Sequence, residues 1–183
     1  MLNQTTMSRS TYLFICLALL GMLQACQSNR KAANYNDKQA DDNSVNFIKN
    51  GEESSIASVK ASGLAIANSK NQKVIQFAKL MIDDHTMLAD DFRKLRSDNS
   101  ITDSIAITPI HEQQIKDLDL KKAGTFDKAY IQIVIEDHTD QIALYKTVIE
   151  DKKNVEVADF AKKMLPSLQA HLDTAKLINT TLK

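Results

Sequence analysis

Val157, Ala161, Met164, Leu168, His171, Ala175, Ile178 and Leu182 follow one another at alternating steps of four and three residues. Side chains on an α-helix return to the same direction about every 3.6 residues, so this rhythm puts all eight on one stripe. A stripe of that length is the seam of a helix packed in a bundle. The rhythm recurs through Val74, Phe77, Met81, His85, Leu88, Phe92 and Leu95. It recurs again through Ile131, Ile135 with Val134, His138, Ile142, Tyr145 and Ile149. A weaker version joins Ile48, Glu52, Ser55, Val59, Ser62 and Ile66. Four long helices are therefore expected, over about 44–69, 71–96, 126–151 and 155–182, the first capped by Ser44. Only four glycines, two prolines and 5% aromatic residues occur in 183, which leaves little material for turns or strands. The predicted class is all-α.

The helices come in pairs. "NQKVIQFAKLM" at 71–81 aligns with "NVEVADFAKKM" at 154–164, an offset of 83 residues, and that offset lays the first long helix over the third. Two repeated helical hairpins joined by a long crossover make a four-helix bundle. In the crossover, "TPIHEQQIKDLDL" sets Thr108 as an N-cap and Pro109 at the first helical position, which predicts a short helix there. "KKAGTFD" ends it. Pro166 removes a backbone bond from the last helix and is expected to kink it just before His171.

The N-terminus reads as an address. Arg9 precedes "TYLFICLALLGML" at 11–23, an apolar run short for a membrane span and suited to an export signal. "LQAC" at 23–26 resembles the lipobox of bacterial lipoproteins, which implies cleavage before Cys26 and lipid on its sulfur. Residues 1–25 are thus expected to be a lipoprotein signal peptide, 26–43 a flexible polar tether and 44–183 the bundle domain. Gln27, where inner-membrane retention would want Asp, implies the outer membrane by resemblance to Gram-negative sorting. The expected place is the cell envelope, lipid-anchored and facing the periplasm. Cys16 falls in the discarded segment, so the mature domain has no thiol for a disulfide or a cysteine metal site. Lys plus Arg and Asp plus Glu balance at 23 each, so no basic field invites nucleic acid. The expected partner is the membrane, through lipidated Cys26. The sequence names no protein partner.

Three of the four histidines, His85, His138 and His171, lie on the inward seams. Counting back to the hairpin turns puts them at similar depth. Three neutral imidazoles bind zinc or copper, with water or a carboxylate completing the shell. Met81 and Met164 share the seams, and thioethers suit Cu(I), although filling a core is methionine's commoner use. Asp84 and Asp137 precede two of the histidines and point about 100° away on their own helices. From there each suits the orienting of a histidine on a neighbouring helix. The 83-residue offset carries Ile135 onto Glu52, a candidate ligand one turn from the histidine level. The alternative leaves Glu52 and Glu53 in solvent, the usual fate of glutamate. His111, in the short helix, is expected to be exposed. A hydrogen-bonded His–Asp network without metal accounts for the same residues. No glutamate precedes a histidine by three, so dinuclear carboxylate chemistry of the Glu-x-x-His type is not expected. Patterns for nucleophiles, phosphate loops and dinucleotides do not occur, and no catalytic residue is assigned.

"FAKLMIDDH", "GTFDKAYIQIVIEDH" and "FAKKMLPSLQAHL" together resemble the bacterial domain-of-unknown-function family 4142, over about residues 44–181. The resemblance implies a ferritin-like four-helix bundle in an exported or outer-membrane protein, with the family's histidines at His85, His138 and His171. The family's usual first-helix glutamate falls at Ser58 here, so a site that needs it has lost a ligand or uses Glu52 instead. No settled activity comes with the family. The expected function is a non-enzymatic binding or stress-related envelope module with a central histidine layer. The alternative is a zinc- or copper-binding protein, and behind it a redox enzyme.

Overall fold

In a computed structural model of the chain, the structure describes residues 41–151 and 153–182. The expected export signal, Cys26 and most of the expected tether lie outside the described residues. Five helices follow in order: α1 (Asp42–Asn68), α2 (Gln72–Asp98), α3 (Pro109–Asp119), α4 (Ala123–Asp151) and α5 (Val155–Asn179). No strand occurs among the described residues.

The N-termini show why the helices start where they do. Asp41, not Ser44, caps α1. Its carboxylate accepts from the Asn43 and Ser44 backbone N–H groups at 3.1 and 3.3 Å, and from the Ser44 hydroxyl at 2.8 Å. A charged acceptor at the positive end of the helix dipole outcompetes a serine already inside the first turn. Asn71 caps α2 and Asn154 caps α5, each accepting through its side chain. Thr108 caps α3, with Pro109 in its first turn, as the sequence indicates. The helix α5 runs through Pro166 from Val155 to Asn179.

The long helices form two antiparallel hairpins, α1–α2 and α4–α5. Asn43 meets Asp151 at one end of the α1–α4 contact, and Ser62 meets Tyr130 further along at 2.8 Å, so these helices are antiparallel too. On the opposite side, Asp84 meets His171 and Phe92 meets Phe160, which sets α2 antiparallel to α5. The diagonal pair α2 and α4 run parallel, with His85 against His138 and Phe92 against Tyr145. The short α3 lies against α1 and α4.

Two apolar clusters fill the bundle. One gathers Met81, Val134 and Ala175 with Phe77, Tyr130 and Ile178. The other gathers Leu88, Ile142 and Leu168 around the rings of Phe47, Phe92 and Tyr145. Those rings stack edge-on with centroids 4.8–6.3 Å apart. The histidines fall between the clusters: His85 lies between Met81 and Leu88 on α2, and His138 between Val134 and Ile142 on α4. The inner face of α1 is small and polar, with Ser55, Ser58, Ser62, Ala57, Ala61 and Ala65 all buried. Its stripe turns slightly from the expected one, leaving Ile66 36% exposed while Ala65 is covered. Gly51 is required: a Cβ there would stand 2.0 Å from Phe92 Cζ, inside the aromatic cluster. The ring lies directly on the α1 backbone, which only glycine permits.

Candidate metal centre

The seams deliver His85, His138 and His171 to one level of the core, where they are 0, 0 and 4% exposed. Their ring centroids are 5.2–5.5 Å apart. Each offers one ring nitrogen such that the three lie within 4.8 Å of one another. The hydrogen bonds fix most of the tautomers. His138 Nδ1–H donates to the Val134 carbonyl at 2.9 Å, which leaves its Nε2 as a lone pair. His85 Nε2 stands 3.3 Å from that nitrogen and donates to it in the metal-free layer, so its Nδ1 also carries a lone pair. His171 Nε2–H donates to Asp84 Oδ2 at 2.8 Å, which leaves Nδ1 as the ring nitrogen outside that bond. Nδ1 of His85 and Nδ1 of His171 are both buried without a protein partner.

The arrangement suits a cation. Two imidazole nitrogens bound tetrahedrally at about 2.05 Å from zinc stand about 3.3 Å apart. His85 Nε2 and His138 Nε2 have that separation, and a shift of the His85 proton to Nδ1 would free both lone pairs for an ion. Burial, with the neighbouring imidazoles, holds His85 well below the ordinary histidine range. Burial also pushes His138 down to about 3, the effect of His171 adding to it and the Val134 carbonyl opposing it. Both rings are therefore neutral at pH 7 and no proton competes for their lone pairs. A cleft of about 240 Å³ between α2 and α5, lined by Asp84, His85, Met87, Met164, Leu168 and His171, leads to the layer.

The acidic residues divide. Asp84 reaches across the α2–α5 contact to orient His171. Asp137, its counterpart in the "EDH" stretch, faces the other way, with Oδ1 3.7 Å from Nε2 of His111. Glu52 is not in solvent: it is 3% exposed and accepts from Arg96 Nε at 2.7 Å. That pairing directs it to α2's basic end, and it is not one of the residues in the three-nitrogen group. Glu53, also buried, accepts from the Thr108 backbone N–H at 2.7 Å and from His111 Nδ1 at 2.8 and 2.9 Å. His111 is accordingly not exposed as expected; its side chain is 19% accessible, held between α1 and α4. The flanking Asp137 and Glu53 carboxylates push it up to about 10, against the opposing effect of burial. It is an imidazolium at neutral pH.

On α1 the layer meets hydroxyls. The contacts of Asn43 with Asp151 and Ser62 with Tyr130 set Ser55 about level with His138. Ser55 donates to the Gly51 carbonyl at 2.7 Å. Ser58, where the resemblance implies a glutamate, is buried. Met81 is fully enclosed and Met164 borders the cleft. The sequence places Tyr145 on the inward seam without a role for its hydroxyl and gives no sign of Gln141; the buried polar atoms of both have no protein partner. A glutamine one turn beyond an inward histidine looks like a surface residue until the crossover covers it.

A family described as a domain of unknown function, DUF4142, has a model that matches residues 29–178. Among solved structures, the crystal structure of a DUF305 fragment from Deinococcus radiodurans is similar, with a TM-score of 0.69 at 12% identity. The likeness covers 78% of this chain and 99% of that one. At such identity it speaks for the fold alone, the all-α, ferritin-like helical bundle. No curated protein matches.

Proposed function

The chain belongs to the DUF4142 family, and on that premise we propose that it is a non-enzymatic metal-binding module of the cell envelope. The ion is zinc or copper, held by His85, His138 and His171. One observation carries this reading: three buried histidines bring ligand nitrogens within 4.8 Å, with no carboxylate among them. Three imidazole nitrogen donors suit zinc and copper and suit magnesium or calcium poorly. Asp84 is the positioning residue for His171. It fixes the tautomer and raises the basicity of the ring. The fourth position is left to water or to an external donor arriving through the α2–α5 cleft.

The address is part of the proposal. A signal ending in "LQAC" supports lipid on Cys26 and an outer-membrane anchor. Labelling cells with a radioactive fatty acid tests it: the parent takes up label and Cys26→Ser does not. Equal labelling of both would sink the anchor.

For the metal, Cys16→Ser/Cys26→Ser protein is loaded with limiting zinc or copper, dialysed and subjected to elemental analysis. The comparison is the same chain carrying His85→Ala, His138→Ala and His171→Ala. Near-stoichiometric metal in the first and none in a still-helical second is the expected result. Equal metal in both, or none in either, would reduce the layer to a hydrogen-bonded core device. The contacts of Asp84 with His171 and Val134 with His138 favour that second reading.

A further inference from the structure

On the face of the bundle covered by α3, away from the α2–α5 cleft, lies a second cavity of about 280 Å³. Its wall includes Glu53, His111, Asp137, Asp140, Gln141 and Tyr145. Gln141 is 6% exposed, and neither Nε2 nor Oε1 of its amide has a protein partner. Tyr145 is fully buried and its hydroxyl is also unpartnered. Burial pushes that phenol well above its ordinary range, so it remains an O–H. Three orphaned polar atoms around one cavity are unusual in a folded protein, because each costs its full desolvation.

The chemistry of the wall selects the occupant. His111 is an imidazolium, while Glu53, Asp137 and Asp140 bring three carboxylates, so the negative groups prevail. An anion is disfavoured. A bare metal ion would leave the donor Nε2 of Gln141 unsatisfied. An ammonium can donate to Gln141 Oε1, the Tyr145 oxygen and a carboxylate, but it has no acceptor for Gln141 Nε2. A molecule that satisfies all of them carries an ammonium and, close by, a hydroxyl or carbonyl oxygen. Ile110 and Leu144 add apolar wall for a short carbon skeleton. We propose that this cavity binds a small organic cation of that class, an amino alcohol or amino sugar, on the floor made by Gln141 and Tyr145. The proposal is independent of the metal reading and involves none of the three histidines of the layer.

The full chain in detergent micelles, labelled with nitrogen-15, is titrated with ethanolamine and glucosamine. N-acetylglucosamine serves as the uncharged match. Saturable shifts of the Gln141 side-chain amide are expected with both amines, with at least about tenfold weaker binding of the acetylated sugar. Gln141→Leu with Tyr145→Phe should abolish binding while leaving the melting temperature equal or higher, since it removes unpaired buried polar groups. Asp140→Asn, an exposed change that leaves the fold intact, should weaken binding severalfold. No saturable shift with either amine overturns the proposal and leaves the cavity to water. Equal binding of N-acetylglucosamine, or binding that survives Gln141→Leu with Tyr145→Phe, overturns it as well. Metal content in all variants should equal that of the parent.

Discussion

Around His138 stand two more imidazoles and a backbone carbonyl; around His111 stand two carboxylates. The two rings belong to one small domain and end in opposite states. His138 is buried with no counter-charge, so its neutral form wins. His111 keeps some access to water and gains two anions, so its charged form wins. A neutral cluster offers lone pairs and can receive a cation. A charged one ties elements together, here α3 to α1 and α4. The Asp-His dipeptides at 84–85 and 137–138 feed both centres. In each the histidine turns inward, and the aspartate turns out to another helix's histidine, Asp84 to His171 and Asp137 to His111.

Perturbing each centre tests whether the two are as separate as they look. The largest expected effect comes from His138→Gln, which should lower zinc or copper affinity by more than about a hundredfold, as a lost ligand costs more than a lost supporting residue. A competition titration against a chromophoric chelator reads it; unchanged affinity would place the ion elsewhere. Asp84→Asn should cost about 10–100-fold in the same titration, while Asp137→Asn should leave it unchanged. Equal losses from both would merge the two centres into one network. Glu53→Gln removes a buried partner of the His111 imidazolium and should lower the unfolding free energy by about 1–3 kcal/mol in urea melts, with metal affinity intact.

A pH profile is the most discriminating. His111 is raised to about 10, so its stabilisation is complete below the unfolded value of 6.5 and is lost as pH rises through 10. The advantage in melting temperature of the parent over His111→Gln should therefore shrink steadily from pH 6.5 to 10. Burial would raise Glu53, but its bonds from His111 and the Thr108 N–H outweigh that and hold it below 4.5, so its share is present above that value and fades in acid. The metal-free histidine layer slopes the other way. His85 and His138 are depressed, the unfolded chain binds more protons below pH 6.5, and stability falls on acidification. Parallel profiles for His111→Gln and the parent across this whole range would contradict the charge assigned to His111.

The sequence carried the bundle well where the seams are apolar. In α2 every seam residue named, from Val74 to Leu95, is buried, because Val, Phe, Met and Leu at helical spacing have one stable place to go. In α1, beyond Phe47 and Ile48, the buried stripe is Gly, Ser, Ala and Glu, and hydropathy says little about its direction. The sequence offers Glu52 as an inward ligand or a solvent residue and leaves Glu53 in solvent, because their partners, Arg96 and His111, are 44 and 58 residues away and no local pattern joins them. His111 was misjudged for the same reason: its burial is set by where the crossover docks. The three-histidine layer was legible because each member sits on its own helix's seam, and helix geometry alone brings the levels together.

Each of the two apolar clusters takes residues from α1, α2, α4 and α5. Neither hairpin therefore owns a core. A break in the crossover between residues 99 and 108 would yield halves that echo each other in sequence, yet each would bare half of both clusters to water. Duplication in the text of the chain is not modularity in its thermodynamics. The cooperative unit is the whole bundle, so a site assembled from α2, α4 and α5 forms only when both halves have already chosen each other.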